Sequence, residues 1–283
     1  MSTNEFTDRY SEIKSRLRQF AENNKEVHAV IAIGSSTRTD LPADKYSDLD
    51  VIIVTEEPDG WYSGEYSSLL GKVSISFIEP TLGGGKERRC IFDEDKDVDM
   101  LIFTPEQFDK ALSDGAAQWV MNRGYEIIFD RAGYSESVGK YVKPVVNSPK
   151  MTEAEFANIV GNFYFHIIWG SKKLLRGELW SAVICVNSYL KSMLLKMIEQ
   201  YHIAASDTDV WHDGRFLDRW AEPEVLNALS SCFSHYDNTD CENAIKATHA
   251  LFAKLSRAVA EKRGYNYPYE AESCAARFLK EQL

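Results

Sequence analysis

Two aspartates spaced i, i+2 open the apolar run Ser47-Asp48-Leu49-Asp50-Val51-Ile52-Ile53-Val54, about a dozen residues after Ile31-Ala32-Ile33-Gly34-Ser35. Side chains two apart on a strand leave the same face, so Asp48 and Asp50 should project together beside a Gly-Ser turn. Glycine lets backbone approach a ligand closely. Backbone N–H groups and a Ser hydroxyl at a strand-to-helix turn suit phosphate oxygens. Together these features outline a site for magnesium and a nucleoside triphosphate. A second acidic pair, Asp97 and Asp99, alternates with Val98, Met100 and Ile102 and so also shares one face. A sheet that sets this strand beside the Asp48/Asp50 strand would gather three or four carboxylates, at a large electrostatic cost unless compensated. Oxygen-only ligands suit Mg²⁺, and two such ions can activate an attacking oxygen and steady the leaving one. The alternative is a set of solvated strand-end carboxylates. Neither GxxxxGK[ST] nor GxGxxG occurs, which argues against a Walker loop and a dinucleotide fold.

The elements that must position these groups follow from periodicity. Phe6, Tyr10, Ile13, Leu17 and Phe20 recur at helical spacing and predict a helix over 4–21. Strands are expected at 27–33, 48–55 and 72–78, the last alternating Val73, Ile75 and Phe77 with serines. Residues 88–92 and 97–103 flank the polar turn Asp93-Glu94-Asp95-Lys96 and predict a hairpin, and 125–129 predicts one more strand. Thr104-Pro105 reads as a helix start. Gly, Ser and Pro gather over 130–150, where a linker is expected. Thr152 and Glu155 form a capping box, and helices follow at 153–175, 179–201, 223–232 and 241–263. The expectation is an α+β protein: a mixed sheet with flanking helices over 1–135, and a helical bundle over 150–283.

The chain has 283 residues and a net charge of -11, with no basic cluster denser than Lys86-Glu87-Arg88-Arg89. Phosphate neutralisation dominates nucleic-acid affinity, so RNA or DNA is a poor expectation and a cationic small molecule a better one. No unbroken run approaches the ~18 apolar residues of a membrane span. The N-terminus carries no basic, apolar leader, and the five cysteines are scattered without a CxxC pair. These point to a cytoplasmic protein with reduced thiols and no membrane partner, as a monomer or homodimer.

Gly34-Ser35 followed by Asp48-x-Asp50 resembles the signature of the nucleotidyltransferase superfamily related to DNA polymerase beta. More closely, the chain resembles the aminoglycoside 6-adenylyltransferases, also called streptomycin adenylyltransferases. The resemblance runs through Asp44-Lys45-Tyr46-Ser47-Asp48-Leu49-Asp50-Val51 and the segment from Arg89 to Asp99. It continues in Lys172-x-Leu174-x-Arg176-x-Glu178-Leu179, in Leu194 to Glu199, and in the C-terminal Tyr265-x-Tyr267-Pro268-x-Glu270. It implies a nucleotidyltransferase fold with a helical substrate-binding domain, and Mg²⁺-dependent transfer of AMP from ATP to a hydroxyl of streptomycin or a similar aminoglycoside, with release of pyrophosphate. It also implies Asp48, Asp50 and Asp99 as catalytic metal ligands and Gly34 and Ser35 as holders of the β- and γ-phosphates. The family often has Arg directly after Gly-Ser; here Ser36 stands there and Arg38 is the nearest arginine.

Lys172 and Arg176 lie four apart on one helix face, either to reach triphosphate across a cleft or as a solvated face. Glu178 either meets an amine of the substrate or caps the next helix. Asp97 and Glu178 are the candidates should a general base be needed. His166 reads as a packed histidine, and Asp237, Asp240 and Glu242 as a helix-start acid cluster. Two other functions are open: a nucleotidyltransferase with another acceptor, small molecule or protein, and a nucleotide-binding module without turnover.

Overall fold

A computed structural model describes residues 3–38, 42–143, 150–206, 210 and 212–283; the expected linker residues 144–149 lie outside them. The chain divides into two compact units, Met1–Val146 and Asn147–Leu283.

The first unit is built on six strands: β1 (Val27–Ile33), β2 (Leu49–Thr55), β3 (Val73–Pro80), β4 (Lys86–Phe92), β5 (Lys96–Phe103) and β6 (Glu126–Asp130). They pair in the order β3-β4-β5-β2-β1-β6. The β2–β5 pair is parallel and the other four are antiparallel, so the sheet is mixed. Its helices are α1 (Thr3–Asn23), α2 (Asp59–Ser63), α3 (Pro105–Asp114), α4 (Ala116–Met121) and α5 (Tyr134–Tyr141). Strand alternation gives the sheet two buried faces. Leu49, Val51, Ile53, Val98, Met100 and Ile102 pack with Tyr10, Ile13 and Leu17 of α1. Ile31, Ile33, Ile52, Val54 and Phe103 pack with Phe108 and Leu112 of α3 and Tyr134 and Val138 of α5. Thr104 caps α3 through a capping box with Gln107, and Pro105 takes its first position.

One feature of this unit differs from the sequence expectation. The Gly- and Ser-rich stretch read as linker contains α5, because Tyr134, Val138 and Val142 supply an apolar stripe at helical spacing. Asp130 fixes its start by accepting from the backbone N–H of Gly133, Tyr134 and Ser135. The alternating run expected as a strand is one, β3, and it forms the sheet's edge, with Ile75 63% and Phe77 50% exposed.

The second unit is helical: α6 (Glu153–Leu175), α7 (Leu179–Ile184), α8 (Leu190–Ser206), α9 (Leu217–Trp220), α10 (Pro223–Leu229), α11 (Asn238–Arg263) and α12 (Tyr269–Gln282). Thr152 and Glu155 form the expected capping box. A π-turn, Cys185–Tyr189, joins α7 to α8. Such a turn leaves a carbonyl without its usual helical partner; Lys191 Nζ donates to Val186 O at 2.9 Å and to Thr248 Oγ1 at 2.8 Å. The continuous stretch Leu179–Ser206 is long and apolar enough in composition to cross a membrane, but Leu190, Leu194, Met197 and Ile198 are buried in the helical core. Phe163 stacks on Phe252 there, with centroids 3.6 Å apart. The C-terminal tyrosines pack against the helical core. Tyr267 shares a hydrogen bond with Tyr164 at 2.7 Å and donates one to Glu272 at 2.7 Å. The chain then continues into α12, a helix that the sequence reading left out.

Candidate active site

Asp50 on β2 and Asp99 on β5 are partners across the parallel ladder. Neighbouring registers extend the pair into a row across five strands: Phe77 on β3, Arg89 on β4, Asp99, Asp50, and Ile33 on β1. Asp48 joins from just before β2. One carboxylate oxygen each from Asp48, Asp50 and Asp99 lie within 4.8 Å of one another. Asp99 is buried and the other two half-buried. Asp97 stands beside this trio rather than in it, near enough to Asp48 to feel its charge.

The turn after β1 lies directly against this cluster. Gly34 has φ +72°, and a Cβ there would stand 2.1 Å from Asp50 Oδ2. Only glycine accepts both that conformation and that approach. The turn Gly34–Thr37 is a single 3₁₀ turn, and Arg38 leaves it in extended backbone, so the expected strand-to-helix turn is a shorter device. Ser36 and Thr37 donate their hydroxyls to Ile33 O and Gly34 O, each at 3.0 Å. Ser35 Oγ is buried with no hydrogen-bond partner among the described residues. A buried hydroxyl left unpaired costs about 1–3 kcal/mol, which a ligand oxygen would recover. Three converging carboxylates beside a close glycine, with an orphaned hydroxyl on the next residue of the turn, fit a divalent cation with a phosphate group.

Charge balance in the row comes from Arg89. Its Nε donates to Asp99 Oδ1 at 2.9 Å, and its Nη2 lies 2.6 Å from Oδ2, a two-point pair. Glu87 Oε1 is 3.5 Å from Nε, and Glu79 Oε1 is 3.6 Å from Nη1. Burial pushes the Asp99 carboxyl up to about 7, against the opposing pull of Arg89, with Asp97 and Glu87 adding to the rise. Burial also raises Asp97 and Glu87, each again opposed by Arg89. A cavity of about 160 Å³ adjoins the row on the same face, walled by Ile33, Ile52, Leu101, Phe103, Phe108 and Val120. Its lining is apolar apart from Thr81, and it brings no further carboxylate to the row.

The remaining sequence candidates lie in the helical unit. Lys172 is exposed, with its ammonium 5.7 Å from the centre of the Phe278 ring. Glu178 precedes α7 but makes no side-chain cap; it pairs instead with Lys173 at 2.6 Å and Arg176 at 3.1 Å. Glu178 thus takes the N-cap position that the capping alternative gave it, with its carboxylate paired to the two cations rather than to the helix N–H groups. His166 is half-buried rather than core, with Nδ1 3.0 Å from Asn162 O and its ring 4.3 Å from that of Tyr189. Asp237 caps α11, and Asp240 in its first turn accepts from the His235 N–H. Sequence reasoning gave no role to Arg89 or Glu87. Their signal was present, since a hairpin turning at Asp93–Lys96 sets Arg89 opposite Asp99 and puts Glu87 on the same face.

A Gly-Ser turn against an Asp-x-Asp strand, with a third aspartate on the parallel neighbour, is the arrangement of a nucleotidyltransferase. The chain belongs to the streptomycin adenylyltransferase family, whose sequence profile matches residues 8–282, and it is an enzyme of that class. It is 23% identical over 266 residues to an aminoglycoside 6-adenylyltransferase of Bacillus subtilis, covering 88% of this chain and 89% of that protein. It is 22% identical over 273 residues to one of Staphylococcus aureus, covering 91% and 93%. A crystal structure of an aminoglycoside 6-adenyltransferase from Bacillus subtilis aligns over 99% of this chain and 98% of that one, with a TM-score of 0.46 and 15% identity.

Proposed function

We propose that this enzyme transfers AMP from ATP to a hydroxyl of an aminoglycoside such as streptomycin, with pyrophosphate leaving. The observation that carries this reading is the convergence of Asp48, Asp50 and Asp99 against the Gly34 turn. In the transfer, the acceptor oxygen bonds to the α-phosphorus as the bond from that phosphorus to the leaving pyrophosphate breaks, and the hydroxyl proton is released. Asp48, Asp50 and Asp99 would hold two magnesium ions, which when bound neutralise phosphate charge and acidify the acceptor hydroxyl. The Ser35 hydroxyl and the Gly34 backbone hold the β- and γ-phosphates. Arg38 and Lys172 would add charge for the nucleotide. Asp97, on the same face as Asp99, is one candidate to receive the proton, and Glu178 would meet an amine of the acceptor. Holding the reactants in line and balancing charge supply most of the rate.

On this reading residues 1–135 carry the chemistry and 150–283 bind the acceptor. The net charge of -11 draws in a polycation and repels nucleic acid. ATP as co-substrate places the reaction in the cytoplasm. The test is mass analysis of streptomycin after incubation with the protein and MgATP. The expected product carries one added adenylyl group, with an equal amount of pyrophosphate. Adenylylation of protein or of another small molecule alone would replace the acceptor, and nucleotide binding without pyrophosphate release would replace the enzyme reading.

A further inference from the structure

Arg89 puts a fixed positive charge on the very carboxylate that the trio needs. Its guanidinium engages both oxygens of Asp99, at 2.9 and 2.6 Å. Asp99 is itself almost wholly enclosed, at 5% side-chain exposure, so its few accessible lone pairs are contested. A divalent cation taking Asp99 together with Asp48 and Asp50 would stand within a few ångströms of the guanidinium, and like charges at that range repel strongly where water is scarce. Arg89 has somewhere to go. Glu87 and Glu79 already lie 3.5 and 3.6 Å from it, too far for good hydrogen bonds but close enough that a small rotation completes them. Its outer side is a third exposed, and the Phe77 ring lies 6.0 Å beneath it. The β4–β5 ladder sets Arg89 opposite Asp99, and the β3–β4 ladder sets Glu79 opposite Glu87.

We propose that Arg89 is a built-in counter-cation that competes with a divalent ion for Asp99 and passes to Glu79 and Glu87 when that ion binds. Arg89 is thus a positioning residue, and it sets how much metal the enzyme requires before Asp99 is delivered to the trio. This rests on the assignment of Asp48, Asp50 and Asp99 as the cation site.

The experiment titrates Mn²⁺ into the full chain and follows free Mn²⁺ by electron paramagnetic resonance, which needs no turnover. Arg89→Met should bind Mn²⁺ about tenfold more tightly than the wild type, the scale of one charge-assisted pair. Arg89→Lys, a point charge without the planar fork, should fall between them and covers the case in which the methionine variant folds poorly. Glu79→Gln with Glu87→Gln should weaken binding severalfold by removing the receiving carboxylates. The same two changes in the Arg89→Met background should have a much smaller effect, because no guanidinium is left to receive. Binding by Arg89→Met that equals or falls below wild type overturns the exchange. So does a Glu79/Glu87 effect of undiminished size without Arg89, which would be plain through-space attraction. Wild-type affinity in Asp50→Asn would instead overturn the cation-site assignment.

Discussion

Asp50 and Asp99 face each other as Cα partners on adjacent parallel strands, although they come from distant parts of the chain. The pairing makes the two carboxylates interdependent. Asp50→Asn removes one charge from a half-buried position without changing side-chain shape. The expected outcome is a fall in pyrophosphate release of at least about a hundredfold, with the circular dichroism spectrum unchanged.

Gly34→Ala tests the turn. The added methyl would stand 2.1 Å from Asp50 Oδ2, at a backbone conformation that costs a non-glycine residue about 1–2 kcal/mol. Asp50 must move away. Turnover should collapse as in Asp50→Asn, but here the melting temperature falls as well, and differential scanning calorimetry separates the two variants.

Lys191 gives a pH signature. Burial brings its ammonium down from 10.5 to about 8, with Cys232, Cys185 and Cys241 pulling the other way. A lysine whose folded value lies below its unfolded one binds fewer protons folded than unfolded between about pH 8 and 10.5. Its penalty on folding is therefore full below pH 8 and relieved as pH rises through that window. Lys191→Met removes the penalty at every pH. The melting temperature of the wild type should accordingly gain on that of Lys191→Met between pH 7.5 and about 10.

Tyr267→Phe tests the seam between α6, α11 and α12. Its hydroxyl lies 2.7 Å from Tyr164 Oη, 2.7 Å from Glu272 and 3.2 Å from Ser256. Loss of that hydroxyl leaves buried partners short of a bond and should cost about 1–3 kcal/mol. Urea unfolding should show the loss in the helical unit, with Mn²⁺ binding at the aspartates unaffected.

The six strands were legible because each is a short apolar or alternating run stopped by polar turns, and their observed bounds lie within about two residues of the periodicity reading. The Asp48/Asp50 pair was legible for the same reason. The placement of Asp99 beside them was only conditional, because nothing local in a sequence says which strands are neighbours. That information sits in the β2–β5 pairing. Helix α5 was hidden by Gly133, Ser135, Ser137 and Gly139, whose composition says loop while Tyr134 and Val138 say core. Helix α12 was hidden because its face is small and mixed, with Ala275 and Leu279 beside a buried Glu272. The exposure of Ile75 and Phe77 follows from their place on an edge strand, and alternation does not distinguish an edge from an interior strand. Arg89 was visible as a charge, but its partner depended on hairpin register.

The β2–β5 ladder has a kinetic consequence. Parallel neighbours cannot be joined by a tight turn, and here the excursion between them comprises α2, β3 and β4. The third carboxylate therefore arrives only after that long loop has closed, at an entropic toll. A nascent chain halted before β5 holds Asp48 and Asp50 but can gain no catalytic power from them. Recovery of turnover during refolding thus serves as a clock for the docking of β5 on β2, and should lag behind the regain of helical signal.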